Sequence, residues 1–305
     1  MITHPVLSGA RQVVTLARRR CRCASLSVAG ILLALAGVTA LSGCARAGGR
    51  AAATRVTVAG STSVTPFAEQ LAEEFMRKRP GVQVNIQGIG SSAGIQATET
   101  GAADVGMSSR ALNQEEVREL HPVLVALDAM AIIAHPDNPV RNVALPQLRR
   151  IFAGEIRNWR MLGGRDAPIT LVNREAGSGA RGAFEELVMG KGGSPLDYRS
   201  IRQGSQGAVR AVVEGDPNAV GYVSSGVLTP GVRALHVDGV APTAEEAVAG
   251  RYKLVRPFLF VLRRGEAPVG LARDYIGYVL SKEGQETLVH SGLIAAPKEA
   301  LPWKD

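Results

Sequence analysis

Four short apolar runs in this chain end in turns of glycine and small hydroxyl residues, and at least three of those turns open a helical pattern. They are GSTSV (Gly60–Val64), GSSAG (Gly90–Gly94), GMSSR (Gly106–Arg110) and the Gly-Ser-Gly inside NREAGSGARGAF (Asn173–Phe184). Strand-like runs alternating with helices predict α/β layers with mainly parallel sheets. In such sheets ligands sit beyond the carboxyl ends of the strands. Each serine on its own is an ordinary helix cap. Four such strand ends in one chain, with an arginine, Arg174, leading into the fourth, suit a small tetrahedral oxyanion instead. Helix starts supply N–H donors and a positive dipole end, and the guanidinium supplies a full charge.

The alternation can be followed along the chain. RVTVAG (Arg55–Gly60) reads as a strand, and Val64, Phe67, Leu71 and Phe75 follow at helical spacing with Pro66 in the first turn. VQVNIQ (Val82–Gln87), ADVGM (Ala103–Met107), PITLV, AVGYVSS (Ala219–Ser225), ALHV (Ala234–Val237) and PFLFVLRR (Pro257–Arg264) read as further strands. GIQATET before Gly101, FEELVMG up to Gly190 and LARDYIGYVLS (Leu271–Ser281) read as helices. PVLVALDAMAIIAH (Pro122–His135) is too long for one ordinary strand and is expected to be a strand or two crossing between lobes. No repeat of solenoid period is present.

Residues 1–43 form a secretory leader, with Arg18, Arg19, Arg20 and Arg22 ahead of the apolar ASLSVAGILLALAGVTALSG. Its end, Leu41-Ser42-Gly43-Cys44, resembles the lipobox of bacterial lipoproteins. That resemblance implies cleavage before Cys44, a lipid on its thiol, and a place on the extracytoplasmic face of a bacterial membrane; several acyl chains anchor stably where one does not. Residues 44–53 are a tether of small residues. Removing the leader leaves 262 of the 305 residues and lowers the net charge from +8 to +3, since five arginines and no acids lie within it. Cys21 and Cys23 leave with it, so no disulfide or cysteine metal site is expected within one chain. With aromatics at 4% and no basic run interleaved with them, nucleic-acid binding is not expected. No metal or other cofactor is expected.

Taken together, AGSTSVTPFAEQLAEEF, GIGSSAGIQATETGAADVGMSSR, IFAGEIRNW, NREAGSGARGAFEELV, GAVRAVVEGDPNAVGYV and SKEGQETL resemble the PstS-type phosphate-binding lipoproteins, the substrate-binding components of phosphate ABC transporters. The motifs run in family order from about Val56 to Pro297. The resemblance implies a type II periplasmic-binding-protein fold: two α/β lobes joined by two crossing hinge segments, with the ligand between them. Lobe one is then expected over 54–134 and 256–305 and lobe two over 135–255, with crossings near Ala131–His135 and Val255–Phe260. It implies a monomer that takes inorganic phosphate and delivers it to ABC-transporter permease subunits. Carried over by position, Thr62 and Ser63, Ser91, Ser109, Arg174, and Ser178, Gly179 and Ala180 would hold the anion.

Three positions depart from the family pattern. Ser109 stands where some members carry an aspartate that accepts the phosphate's proton, Ala180 where many carry threonine, and Ala176 where an acidic residue is common, with Glu175 next to it. Asp128 matches a frequent family aspartate. The departures leave another tetrahedral oxyanion, sulfate or molybdate, as an alternative ligand. A reading of another class is a serine hydrolase, because Gly90–Gly94 also spells G-x-S-x-G between a strand and a helix. Asp216 or Asp128 with His236 or His290 could complete its triad, but no HGGG-type oxyanion segment accompanies it.

Overall fold

The computed structural model describes residues 54–190, 192–265 and 268–297; the leader, Cys44 and the tether up to residue 53 lie outside them. β1 (Arg55–Gly60) leads into α1 (Thr65–Lys78), β2 (Gln83–Gly88) into α2 (Ser91–Glu99), and β3 (Val105–Ser108) through α3 (Glu116–Glu119) into β4 (Leu120–Ala134). β5 (Asn142–Val143), α4 (Leu145–Phe152), β6 (Thr170–Arg174), α5 (Gly179–Phe184), β7 (Ile201–Gln203), α6 (Gln206–Gly215) and β8 (Ala219–Ser224) follow. After β9 (Arg233–Ala234), β10 (His236–Val237) and α7 (Ala244–Val248), the chain returns along β11 (Val255–Arg263) to α8 (Gly270–Leu280), α9 (Lys282–His290) and β12 (Ile294–Ala295).

One sheet runs β2-β1-β3-β11-β4-β8-β6-β7, with β9 and β12 also paired to β4. β1 is parallel to β2 and β3, and β6 is parallel to β7 and β8, as strand-helix alternation predicts. The centre differs. β11 is antiparallel to β3 and β4, and β4 is antiparallel to β8. The expectation of mainly parallel sheets therefore fails at the middle, because β4 and β11 pass between the halves in opposite directions.

Helices cover both faces of each half. In the first, Phe67, Leu71 and Phe75 of α1 pack with Phe258 and Phe260 of β11 and with Tyr275 and Leu288 of α8 and α9. The rings of Phe67 and Phe258 lie 5.9 Å apart. On the opposite face Ile95 of α2 meets Leu259 and Val261. In the second half Phe152 and Phe184 gather on Tyr222, with Phe184 stacked on it at 4.2 Å, while Val209 and Val213 of α6 cover the other face. Each such side chain contributes roughly 1.5–3 kcal/mol when fully buried.

β4 is one unbroken strand of 15 residues that belongs to both cores. Val123, Val125 and Ala126 lie in the first core, and Ala129, Met130 and Ile132 in the second. The changeover at Leu127–Asp128 comes before the expected crossing at Ala131–His135, because the whole run is apolar and only the buried Asp128 marks the place. β11 returns between Val255, which packs against the second core, and Phe258, which lies in the first. ALHV also differs from expectation: it forms two short strands separated by Leu235.

Candidate anion site

β1 delivers the first turn. Gly60 has φ +148°, and a side chain there would put its Cβ 2.2 Å from the Met107 carbonyl of β3, so only glycine allows the two strand ends to approach. Ser61, which the sequence reading passed over, knits the ends together. Its N–H donates to the Met107 carbonyl at 2.9 Å and its hydroxyl donates to Ser109 Oγ at 2.9 Å. The same oxygen accepts from the Ser63 N–H at 3.2 Å. Ser61, Ser63, Ser91 and Ser109 are all buried. Ser91 opens α2 and accepts from the Ser109 N–H at 3.3 Å. Arg110, the cation of GMSSR, turns away and forms a two-pronged pair with Glu116 at 2.7 and 2.8 Å, which holds the Glu116 carboxyl below its usual range.

The second half supplies the charge. Arg174, at the end of β6, is 1% exposed. Its Nε donates to Glu175 Oε2 and to the Gln203 carbonyl, both at 3.0 Å. Its Nη2 donates to Glu175 Oε1 at 2.8 Å, to the Gly204 carbonyl at 3.2 Å and, across the halves, to Thr62 Oγ1 at 3.0 Å. Glu175 thus orients the arginine, while Thr62, expected to donate to a ligand, serves here as an acceptor for it. Asn173 accepts from the Arg174 N–H at 2.7 Å and from the Tyr222 hydroxyl, whose own pKa burial pushes up. Ser178 caps α5 by accepting from the Arg181 N–H at 3.3 Å. Ala180 points into the second core, so only its backbone is available to a ligand.

Gly179 closes the arrangement. A Cβ built on it would lie 2.2 Å from Ser91 Oγ and 2.7 Å from Ser109 Oγ. The start of α5 therefore rests against both serines of the opposite half, and the Ser92 N–H donates to the Gly177 carbonyl at 3.1 Å. Two buried polar atoms here lack a partner: Ser63 Oγ and Arg174 Nη1. An unpartnered buried donor costs about 1–3 kcal/mol, more if charged, so both favour a guest that brings acceptors. Among the described residues no group of three or more His, Cys, Asp or Glu could hold a metal ion.

The groups a hydrolase triad would need are engaged elsewhere: His290 lies 2.7 Å from the Glu286 carbonyl of its own helix, His236 is exposed, Asp216 accepts from the Asn218 N–H at 2.8 Å, and Asp128 is held by Arg256 and Ser224. Asp128 is buried at the changeover, with Oδ2 accepting from Arg256 Nε at 2.8 Å and Oδ1 from Ser224 Oγ at 2.5 Å. Burial pushes this carboxyl's pKa up, while Arg256 and Ser224 hold it down.

The PBP superfamily domain profile matches residues 45–283. The phosphate-binding protein PstS of Bacillus subtilis is 33% identical over 238 residues, 77% of this chain and 78% of that one. The chain belongs to the PstS family. A putative phosphate ABC transporter substrate-binding protein from Clostridium perfringens, solved with bound phosphate, is 40% identical with a TM-score of 0.76 and covers 80% of this chain and 100% of its own. An ABC-type phosphate transport receptor from Vibrio cholerae is 33% identical with a TM-score of 0.66, over 79% of this chain and 100% of its own. The fold is accordingly the type II periplasmic-binding fold, and the PstS family is one of binding proteins rather than enzymes.

Proposed function

We propose that the protein captures inorganic phosphate between its two α/β halves and delivers it to the permease of an ABC transporter. The observation that carries this reading is Arg174: a buried guanidinium braced by Glu175, Gln203 and Gly204, with Nη1 unpartnered and serines of the opposite half nearby. Thr62, Ser63, Ser91 and Ser109 supply hydroxyls from the first half, and Ser178, Gly179 and Ala180 supply the start of α5 from the second. Hydrogen bonds to a charged group contribute roughly 1.5–3 kcal/mol each, and micromolar affinity needs about 8 kcal/mol after association costs, so half a dozen donors with Arg174 suffice. The relatives named for phosphate support the choice of anion. With the ligand groups divided between halves, the protein closes on its ligand. It acts outside the cytoplasm, held to the membrane by lipid on Cys44.

Calorimetric titration of the purified protein with phosphate, arsenate, sulfate and molybdate tests the reading. Saturable phosphate binding is expected, and its absence overturns the proposal. The rivals that an observation favours are sulfate and molybdate, both proton-free. Glu175 is paired with Arg174, Asp128 with Arg256, and Ser109 replaces the family aspartate, so a proton-free anion meets no unpaired carboxylate in this set. For the anchor, Cys44→Ala should abolish incorporation of radiolabelled lipid; undiminished labelling would refute it.

A further inference from the structure

Two buried guanidiniums, not one, lie where the halves meet. Arg256 is 1% exposed, and only its Nε has a partner, Asp128. Its Nη1 and Nη2 are buried without one, and so is Nε2 of Gln206, whose Oε1 accepts from the N–H of the same Ser224 that binds Asp128. All three nitrogens are donors, so whatever faces them must accept. The strand fixes where Arg256 points. Residues alternate along β11, placing Arg256 on the face of Phe258 and Phe260, which pack with Val64 and Phe67 of the first helix. The guanidinium lies 5.3 Å from the centre of the Phe258 ring, and that ring lies 5.9 Å from Phe67. Ser63 stands one helical turn before Phe67, and its hydroxyl is the unpartnered one. Arg174 reaches the neighbouring Thr62 from the second half.

We propose that Arg256, held at the changeover by Asp128, is a second guanidinium of the anion cleft and donates to the same bound phosphate as Arg174. The inference rests on the function proposed above and adds to it a ligand residue at the junction between the halves. A fork there would let the anion engage the shared strand β11 as well as the loops of each half.

Phosphate titration by calorimetry, with a crystal structure of the phosphate complex, tests it. The double variant Asp128→Asn/Arg256→Gln removes both charges together and leaves a neutral hydrogen-bonding pair, so no unpaired ion is buried. Its dissociation constant should rise at least tenfold with native circular dichroism. Arg256→Lys, which keeps the charge and loses the fork, should also weaken binding and reads the same question if the double variant fails to fold. In the crystal, Nη1 or Nη2 of Arg256 should lie within hydrogen-bonding distance of a phosphate oxygen. Affinities within twofold of the unaltered protein, or Nη atoms that meet water alone, would overturn the inference. Loss of phosphate by Arg174→Ala with retention by the Arg256 variants defeats this inference only; normal binding by Arg174→Ala, or none by the unaltered protein, defeats the function itself.

Discussion

The two halves of the molecule meet the site with opposite chemistry. The first presents hydroxyls on strand ends and helix starts, cross-linked through Ser61, Ser91 and Ser109, with its local arginine diverted to Glu116. The second presents one full charge, Arg174, gripped by a carboxylate and two carbonyls, with its backbone N–H held by Asn173, which also accepts from the Tyr222 hydroxyl. Neutral donors cost little to leave facing one another without a ligand. A bare guanidinium costs far more, and it is the group given the most bracing. On the proposed function, the difference assigns the main countercharge to Arg174 of the second half and most of the neutral donors to the first.

The largest expected effect separates these roles. Truncating one side of a buried charged contact costs about 2–5 kcal/mol, which at about 1.4 kcal/mol per tenfold is roughly 30-fold to several-thousand-fold in dissociation constant. Arg174→Ala should weaken phosphate binding by at least about 30-fold in calorimetry. Arg181→Ala should leave it unchanged, because Arg181 is spent on Glu185 at 2.9 Å. Equal effects of the two would erase the distinction between a charged half and a neutral one.

Next comes the contact between halves. Gly179→Ala drives a methyl group onto Ser91 and Ser109, so small-angle scattering should show the unaltered protein contracting with phosphate and the variant failing to contract. A variant that closes normally would mean that α5 does not seat on those serines in the bound state.

A smaller loss is expected in the neutral half. Ser63→Ala removes one hydroxyl that has no partner in the protein. At roughly 1.5–3 kcal/mol for a hydrogen bond to a charged group, phosphate should bind about tenfold to a hundredfold more weakly. The melting temperature without ligand should not fall, because no internal bond is broken.

Smallest is an effect outside the site. Asp197 accepts from Arg199 Nε at 2.9 Å and Nη2 at 2.5 Å, and this pairing holds its pKa down from 3.8 to about 2. A carboxyl with a depressed native pKa contributes stability that is whole above its unfolded pKa and is lost as pH falls toward the native one. Asp197→Asn should therefore lower the melting temperature at neutral pH and flatten its decline between about pH 4 and pH 2, with phosphate affinity at neutral pH unmoved. An unchanged acid limb would remove Asp197 as its source.

Much of this was legible in the sequence, and for a local reason. GSTSV, GSSAG and NREAGSGARGAF each place a glycine turn, a cap and a helix start within a few residues, so pattern alone locates the strand ends that gather at the candidate site. What escaped depends on distance along the chain. Ser61 matters only because β3 brings Ser109 next to it, 48 residues away, although its position as the first hydroxyl after the strand was a signal. Asp128 and Arg256 are 128 residues apart, and nothing local joins them. The antiparallel centre and the changeover within β4 were hidden because uniformly apolar residues serve either core equally well.

The shared strands also set an order of assembly. The first half has its β1, β2 and β3 early, but its sheet is completed by β11, α8 and α9, which come after the whole second half. Residues made last must pair with residues made first, so the contacts that finish that half span most of the chain, and pairing of this kind is slow. The second half needs only the end of β4 and the segment that follows it. It can condense while the first half still waits with an unpaired β3 edge. β1, β2 and β3 are made first and are the last to be locked.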